Sequence, residues 1–470
     1  MALDPQIDAV VAELERLGGS FVAGSTADEA RRRPNVADAV RSLLWAEGTS
    51  LAPEPVGAVE DLEIPTPTGP VPIRVYWPLG ADPGPLPVLV YAPGGTWVTG
   101  DADAYDATPR AIANRAGCIV ASVDYRRAPE HPFPAAQDDV LAATRWVATN
   151  IAQLSGDPAR LAVGGEGPGA TLAVAASLAF GRQGGAANRP VFQLLLYPVG
   201  DLVRSDWTSF RTYDKALPLG AEMHEWAIEL VASRRDREDP RLSPARATRS
   251  ELGGLPSTLI LTAEHDPLRD QGEALGRTLL DAGVDATTLR FAGVTHDFVG
   301  MNPVAGVAQT AVALAAKHLR AAFGQRGEAA PTVAPDLAQV IEADDAGILA
   351  LRAQLAAGGG DRTTLVDQLR NALVARHEME EAAPAGALTL GDLGALLAPL
   401  EDEPTGTPRF HAALEAIEAA VDDLRLLQES ELAALRANVG NDHMRELGMR
   451  ALETRRAARG QVRRELAYAG

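Results

Sequence analysis

The sequence predicts an α/β domain with a mostly parallel sheet, followed by an all-α helical-bundle domain. In the first part of the 470 residues, short apolar, β-branched runs alternate with helical stretches, as in a sheet covered on both faces. A Gly/Pro/Ala-rich linker at 326–335 follows, and strand signals disappear after it. Apolar residues then recur at helical spacing. We therefore expect two domains, 1–325 and 336–466.

Six apolar runs are the predicted strands of the sheet, and a seventh run ends at Leu161–Val163. The candidate functional residues follow the carboxyl ends of these runs, which is the edge where open α/β sheets bind their ligands. The six predicted strands are 72–76, 88–91, 119–123, 192–196, 258–261 and 288–291.

Residues 165–169, Gly-Glu-Gly-Pro-Gly, have the frame of a G-x-S-x-G nucleophile elbow with Gly167 at the serine position. An apolar run precedes them and a helix-forming run, 170–176, follows, which is the context that the motif requires. Glycine-rich turns between a strand and a helix also bind phosphates, so this motif needs support from other segments. Gly167 cannot form an acyl-enzyme, and Pro168 has no N–H to donate to an oxyanion.

Four further segments supply that support: 91–101, 124–136, 266–270 and 293–298. With the elbow, they resemble α/β-hydrolases of the hormone-sensitive-lipase type, in the chain order that such enzymes have. The resemblance covers about residues 1–325 and implies a helical cap from about 1–50 and 203–248. It also implies that Asp266 and His296 form an acid–histidine pair. It further implies a pocket at the oxyanion loop, formed by Gly94, Gly95, Thr96 and Trp97.

The oxyanion loop departs from the family pattern at two positions. Pro93 and Thr96 replace the usual histidine and third glycine, which leaves the amides of Gly94 and Gly95 as donors. Loss of one oxyanion donor costs about 2.7–4 kcal/mol of transition-state stabilisation. With the nucleophile also absent, the sequence predicts little hydrolysis of simple esters.

Three functions stay open. In the first, the pocket binds a small organic molecule, and His296 acts as the base, oriented by Asp266, in elimination, cyclisation or isomerisation without an acyl intermediate. In the second, the chain is a noncatalytic pseudo-hydrolase that binds a ligand or partner, with the helical bundle as the interaction module. Asp266 and His296 also have a structural interpretation as packing and hydrogen-bonding groups, in which Asp266 caps the helix that begins near Leu268. The third is a residual carboxylesterase.

Other residues near these motifs have structural interpretations. Glu166 precedes the elbow residue and is expected to make a structural polar contact. Cys118 lies in an apolar run and is expected to be buried and unreactive. Residues 222–230 predict a lid helix with Met223, Trp226 and Leu230 on its packed face.

The segment 336–466 resembles a hemerythrin-type bundle, on residues 376–381 and the order of its helices. In that family, histidines and carboxylates bind two irons. His377 and Glu381 remain as vestigial candidates, while Asp345, Leu390 and Asp423 stand at other expected ligand positions. Since leucine cannot ligate a metal, we expect no metal and no cofactor.

Composition limits the partners. The formal charge of −20 disfavours nucleic acid and anionic membranes, and no apolar run approaches the ~18–20 residues needed to cross a bilayer. A single cysteine argues against a disulfide framework, and the segment after Met1 lacks the pattern of a signal peptide. We expect a cytoplasmic protein with a small-molecule ligand, and a homo-oligomer stays open as an alternative to a monomer.

Overall fold

The structure is a computed structural model in which residues 2–22, 24–67, 69–79, 84–150, 152, 155–182, 189–325, 348, 352, 366, 369, 407–417 and 419 are described. The chain divides into two compact units, one of residues 1–40 with 56–332 and the other of residues 41–55 with 333–470. The predicted cap segment 1–50 therefore contributes to both units.

An eight-stranded sheet forms the centre of the first unit, in the order β1-β2-β4-β3-β5-β6-β7-β8. The pairings of β2 with β1 and with β4 are antiparallel, and the remaining pairs are parallel. The strands are β1 Ala58–Ile64, β2 Val71–Trp77, β3 Leu86–Ala92, β4 Ile119–Val123, β5 Gly156–Glu166, β6 Phe192–Leu196, β7 Ser257–His265 and β8 Ala286–Thr295.

This topology confirms the predicted mostly parallel sheet. The six predicted strands fall within β2, β3, β4, β6, β7 and β8, and the run ending at Val163 lies within β5. Strand β1 was not predicted. It lies at the sheet edge with most of its residues exposed, so charged residues such as Glu60 and Asp61 interrupt any apolar pattern.

Several helices of the first unit contact the sheet. Helix α6 follows the elbow and is buried along most of its length, because its many small residues permit close packing. The helices are α1 Pro5–Arg16, α2 Ala27–Arg31, α3 Val36–Ala46, α4 Ala107–Ala116, α5 Ala135–Asn150, α6 Pro168–Arg182, α7 Thr208–Thr212, α8 Ala221–Val231, α9 Arg249–Leu252, α10 Arg269–Asp281 and α11 Gly306–Ala322.

The N-terminal segment of the first unit is joined to the far end of the sheet. The Asp4 side chain caps α1 by accepting from the amide of Gln6 at 2.9 Å. The Asp4 amide donates to the Gly293 carbonyl at 2.8 Å, and the Gly306 amide donates to Gln6 Oε1 at 2.9 Å. These bonds fix α1 beside the end of β8.

In the second unit, residues 408–417 are helical. They bury Phe410, Ala413, Leu414 and Ile417 at helical spacing and expose His411. The vestigial ligand candidates His377 and Glu381 lie outside the described residues, as do Asp345, Leu390, Asp423 and the linker 326–335. No helix within the described part of the chain is long and apolar enough to span a bilayer.

Candidate active site

The elbow lies between the end of β5 and the start of α6, with Gly167 in left-handed conformation at φ 53°. A Cβ on Gly165 would lie 2.4 Å from the Ala92 carbonyl oxygen, and a Cβ on Gly169 would lie 1.9 Å from the same atom. Only glycine fits at these two positions without a backbone shift. A Cβ on Gly167 would approach only the His296 ring, with Nε2 at 3.2 Å. The serine position of the motif therefore faces the histidine.

His296 and Asp266 form a buried pair. His296 follows β8 and Asp266 follows β7, and the His296 Nδ1 atom lies 2.8 Å from Asp266 Oδ2. The other carboxylate oxygen of Asp266 accepts from the Leu268 amide at 2.8 Å, just before α10 begins. The same carboxylate therefore orients the imidazole and supports the turn into α10, so the two interpretations of Asp266 are compatible.

A second carboxylate, which the sequence analysis missed, lies beside the imidazole. Asp297 has a φ of 58°, and its Oδ1 atom is 3.7 Å from His296 Nε2. Its Oδ2 atom accepts from the Tyr105 hydroxyl at 3.3 Å. The acidic residue directly after the histidine was the available sequence signal.

These charges set the protonation of the site. Burial alone would lower the pKa of His296, but the negative charges of Asp266 and Asp297 and the Asp266 hydrogen bond raise it to about 9. Burial raises the pKa of Asp297, and the charge of His296 partly offsets this rise. The two carboxyl groups therefore favour the protonated form of His296.

Glu166 makes the structural polar contact expected of it. Its carboxyl group is fully buried and accepts from the Tyr91 hydroxyl at 2.7 Å and the Tyr197 hydroxyl at 2.6 Å. Burial raises its pKa to about 7. The group ties β3, β5 and the residue after β6 together beneath the elbow. Cys118 is also fully buried, and burial raises the pKa of its thiol to about 12.

The oxyanion loop is shaped by the 124–136 motif. The Tyr125 hydroxyl donates to the carbonyls of Pro93 and Gly94 at 3.0 and 3.1 Å. A Cβ on Gly95, whose φ is 99°, would lie 2.0 Å from the Thr99 carbonyl oxygen. Within the described residues, the amides of Gly95 and Thr96 donate to no protein acceptor. They are thus available to a bound oxygen atom.

A cavity of about 110 Å³ opens beside this loop. Its lining includes the backbone of the oxyanion loop at Gly95 and a set of polar or charged side chains, namely Thr96, Tyr105, His296 and Asp297 together with Arg31, Arg33 and Asn35 of the N-terminal segment. Five other predicted pocket or elbow residues are not among the residues that line it, namely Gly94, Trp97, Glu166, Gly167 and Pro168. The apolar wall includes Leu14, Phe21, Leu219 and Met223.

The cap forms the outer wall of this cavity. Helix α8 does contain the predicted lid, but its buried residues are His224, Ala227, Ile228 and Val231. The predicted face of Met223, Trp226 and Leu230 is partly buried and packs against the hydrophobic core, as expected, and a second side of the helix is buried more completely. Met223 lines the cavity, and Trp226 Nε1 donates to the Ser25 carbonyl at 3.1 Å. The helix is thus covered on two sides, which a single apolar stripe could not reveal.

Arg31 of α2 joins the cap to the oxyanion loop. Its Nε donates to the Val98 carbonyl and one terminal nitrogen donates to the Ala128 carbonyl, each at 2.9 Å. Its two terminal nitrogens also pair with the Glu130 carboxylate at 2.7 Å. The residues around Ala128 and Glu130 belong to the 124–136 motif, so this motif holds both the loop and the cap.

The sheet, elbow and buried Asp–His pair together define the architecture of an α/β-hydrolase. Residues 89–300 match the family described as the alpha/beta hydrolase fold. The chain is 38% identical over 253 residues to the esterase LipI of Mycobacterium tuberculosis, covering 52% of this chain and 75% of that protein. It is 35% identical over 317 residues to an ethyl acetate hydrolase of Pseudomonas putida, covering 65% and 94%.

Solved structures agree. A hyperthermophilic esterase from Pyrobaculum calidifontis aligns with a TM-score of 0.61 at 33% identity, over 68% of this chain and 99% of that one. The chain therefore belongs to the α/β-hydrolase family, in the hormone-sensitive-lipase-type group to which the first resemblance pointed.

Proposed function

We propose that this protein binds a small organic molecule and performs acid–base chemistry without hydrolysis, such as elimination, cyclisation or isomerisation. One observation carries the proposal. The His296 Nε2 atom is aimed at residue 167, 3.2 Å from where a side chain would begin, and that residue is glycine. An oriented histidine without a nucleophile can still transfer protons to or from a bound molecule.

His296 acts as the proton donor in this proposal, whereas the sequence led us to expect it as the base. Because its pKa is raised to about 9, the imidazolium is the dominant form at neutral pH. Asp266 accepts from Nδ1 and fixes the ring, which leaves the Nε2 proton for the ligand. The charge of Asp297, 3.7 Å from Nε2, keeps the ring protonated until a ligand takes up the proton.

The ligand class follows from the cavity and from the relatives. Esterases act on carbonyl compounds, and the free amides of Gly95 and Thr96 are suited to a carbonyl oxygen. The apolar wall suits a hydrocarbon or aromatic portion. A carbonyl compound with a leaving group on its β-carbon fits both features. His296 gives its Nε2 proton to the departing group, at a contact of about 2.6–3.2 Å, while the Asp297 carboxylate, which also lines the cavity, takes the proton from the α-carbon as the double bond forms. Transfer of that proton from Asp297 back to His296, 3.7 Å away, restores the starting state.

A residual carboxylesterase is the second candidate, because its relatives are named as esterases. In the carboxylesterase reaction, a water molecule would attack the ester directly, and neutral His296 would have to remove the proton from that water. Its rate would therefore rise with pH toward the His296 pKa of about 9. A rate that depends on the imidazolium would instead fall as the pH passes through that value.

The test is a pH–rate profile of the intact protein on two substrate sets, simple 4-nitrophenyl esters and β-substituted ketones. We expect turnover of a β-substituted ketone that falls above about pH 9 and is lost in His296→Gln. We also expect no labelling by a fluorophosphonate.

Ester turnover that rises toward pH 9 would favour the carboxylesterase, and stoichiometric labelling would contradict the absence of a nucleophile. Ligand binding that is unchanged in His296→Gln, without turnover, would favour a noncatalytic pseudo-hydrolase.

A further inference from the structure

Two arginines of the N-terminal segment line the cavity, Arg31 and Arg33, and they differ in how their charge is balanced. Arg31 pairs with the Glu130 carboxylate at 2.7 Å and lies 3.7 Å from the Asp28 carboxylate. Arg33 is half-buried and makes no ion pair with a carboxylate in the described part of the chain. A guanidinium that is taken partly out of water without a counter-charge destabilises the folded protein.

Hydrogen bonds hold one side of the Arg33 guanidinium and leave its other side unpaired. Nη1 donates to the Ser20 carbonyl at 3.2 Å and to the Gly18 carbonyl at 3.5 Å. Nε is buried without a partner, and Nη2 is accessible and donates to no acceptor among the described residues. The edge of the guanidinium that Nε and Nη2 form therefore has no partner.

The same edge binds a carboxylate in other arginines of this protein. Nε and Nη2 of Arg16 donate to the two carboxylate oxygens of Glu13 at 2.8 and 2.6 Å. The same atoms of Arg290 donate to the Glu273 carboxylate at 2.7 and 2.8 Å. Two parallel donors on a planar group match the two oxygens of a carboxylate. The unpaired edge of Arg33 is thus complementary to a carboxylate.

Glu29 does not supply the counter-charge of Arg33. Its carboxylate accepts from the amide and the hydroxyl of Thr26 at 2.8 and 2.9 Å, as part of the cap of α2. These hydrogen bonds are the main reason why the pKa of Glu29 is lowered, and the charge of Arg33 contributes less. An anion bound in the cavity would supply the charge that Arg33 lacks.

The backbone around Arg33 is closely packed. A Cβ on Gly19 would lie 2.7 Å from the Pro34 carbonyl oxygen, so the turn after α1 is in direct contact with the chain next to Arg33. Gly19 and Pro34 both line the cavity. Together with the two hydrogen bonds of Nη1, this contact holds Arg33 in the cavity wall.

We propose that Arg33 binds a carboxylate group of the ligand, so that the protein acts on carbonyl compounds that also carry a carboxylate. The carboxylate accepts from Nη2 of Arg33, and the apolar part of the ligand packs against the wall that includes Phe21 and Met223. The reacting carbons lie at His296, which lines the same cavity. This inference rests on the proposed function and names the substrate class of its site, β-substituted ketones with an acidic group.

The experiment compares the binding of two aromatic ketones of similar shape to the full chain by calorimetry. One, 4-acetylbenzoate, is an anion at neutral pH, and the other, 4-acetylbenzamide, is neutral. We expect 4-acetylbenzoate to bind at least about tenfold more tightly, because hydrogen bonds between charged groups are the stronger ones. The net charge of −20 repels anions, so this preference requires a local cation. Arg33→Gln should remove the preference, and Arg33→Lys should keep part of it, because lysine keeps the charge without the planar fork.

Arg32→Gln is the matched control. Arg32 is exposed and does not line the cavity, so this variant removes the same charge from the same segment and should leave the preference unchanged. Equal loss of the preference in Arg32→Gln and Arg33→Gln would make it an effect of net charge and overturn the inference. A preference that is lost in His296→Gln but kept in Arg33→Gln would show that the carboxylate pairs with the imidazole, which also overturns it.

The outcomes distinguish this inference from the proposed function. If the protein turns over neutral β-substituted ketones but binds both probes equally, or if Arg33→Gln weakens both probes equally, the role of Arg33 is wrong and the proposed function stands. If the preference depends on Arg33 but no β-substituted ketone is turned over, the proposed function is wrong and the carboxylate site stands. If neither probe binds saturably, the inference is overturned.

Discussion

The elbow and the histidine loop face each other across the site, and they differ in what each retains. The elbow keeps its backbone frame, with Gly165 and Gly169 packed against the Ala92 carbonyl, while its central residue has no side chain. The histidine loop keeps its imidazole and has a carboxylate directly after it, at Asp297. The elbow therefore keeps its backbone geometry without a reactive side chain, whereas the histidine loop keeps its ionisable side chains.

A catalytic motif is constrained both by the packing of its main chain and by the chemistry of its side chains. The difference between the two regions separates these constraints. The glycines of the elbow are fixed by close contacts of the main chain, which the fold needs whether or not a nucleophile is present. The residue at position 167 meets no such constraint, because its side chain would point at His296. Three predictions test how independent the two constraints are.

The largest effect is expected for Gly169→Ala. The new methyl would lie 1.9 Å from the Ala92 carbonyl oxygen and 2.4 Å from that of Pro93, so strands and helix would have to move apart. We expect a loss of more than about 4 kcal/mol in the free energy of unfolding, measured with urea, or failure to fold.

Gly167→Ala is the matched control for that change. It adds the same methyl at φ 53°, near only the His296 ring, and should cost roughly 1–2 kcal/mol. Equal losses for the two variants would show that the frame and the central position are not independent.

The second prediction restores the nucleophile. Gly167→Ser places a hydroxyl beside His296, but Pro168 still withholds an oxyanion amide. We expect Gly167→Ser with Pro168→Ala to hydrolyse 4-nitrophenyl acetate about 10²–10³-fold faster than Gly167→Ser alone.

Gly167→Ala with Pro168→Ala provides the background rate, since it restores the amide without the hydroxyl. Full esterase turnover by Gly167→Ser alone would contradict the role assigned to Pro168.

The smallest effect is expected for Asp297→Asn, which removes the second carboxyl group beside His296. The folded-state pKa of His296, about 9, lies above the ordinary value of about 6.5, so its protonation stabilises the fold at pH values below about 6.5. This contribution is lost as the pH rises to about 9. Asp297→Asn should lower the His296 pKa and reduce this pH-dependent stabilisation by about 1 kcal/mol.

Asp266→Asn provides the comparison and should have the larger effect, since its charge and hydrogen bond both raise the His296 pKa. Histidine NMR titration and urea unfolding at several pH values measure both quantities. A His296 pKa that is unchanged in Asp297→Asn would mean that this carboxyl group does not act on the ring.

The sequence predicted the parts of the molecule that follow local patterns. Apolar runs located β4 and β6 to the residue, and motifs located Asp266 and His296 in the loops where they meet. Edge strand β1 was missed because an exposed, charged strand lacks the apolar signal. The resemblance of 336–466 to a hemerythrin-type bundle stays a prediction.

The parts of the site that the sequence did not predict depend on three-dimensional contacts. The role of Asp297 follows from its distance to His296 Nε2. The Thr96 hydroxyl is recognised as unpartnered only because no hydrogen-bonding group lies near it among the described residues. Neither fact is encoded in a local pattern of residue types. The fully buried side of α8, formed by His224, Ala227, Ile228 and Val231, was missed for the same reason, since its burial depends on the residues that pack against it.

The attachments of that N-terminal segment also set an order of events during synthesis. Arg31 binds Val98, Ala128 and Glu130, and Asp4 binds Gly293, so each partner leaves the ribosome well after the segment does. Residues 2–40, although translated before the sheet, can complete their docking only after β8 has emerged. The cavity wall is therefore built from one of the earliest parts of the chain at one of the latest stages of folding of this unit.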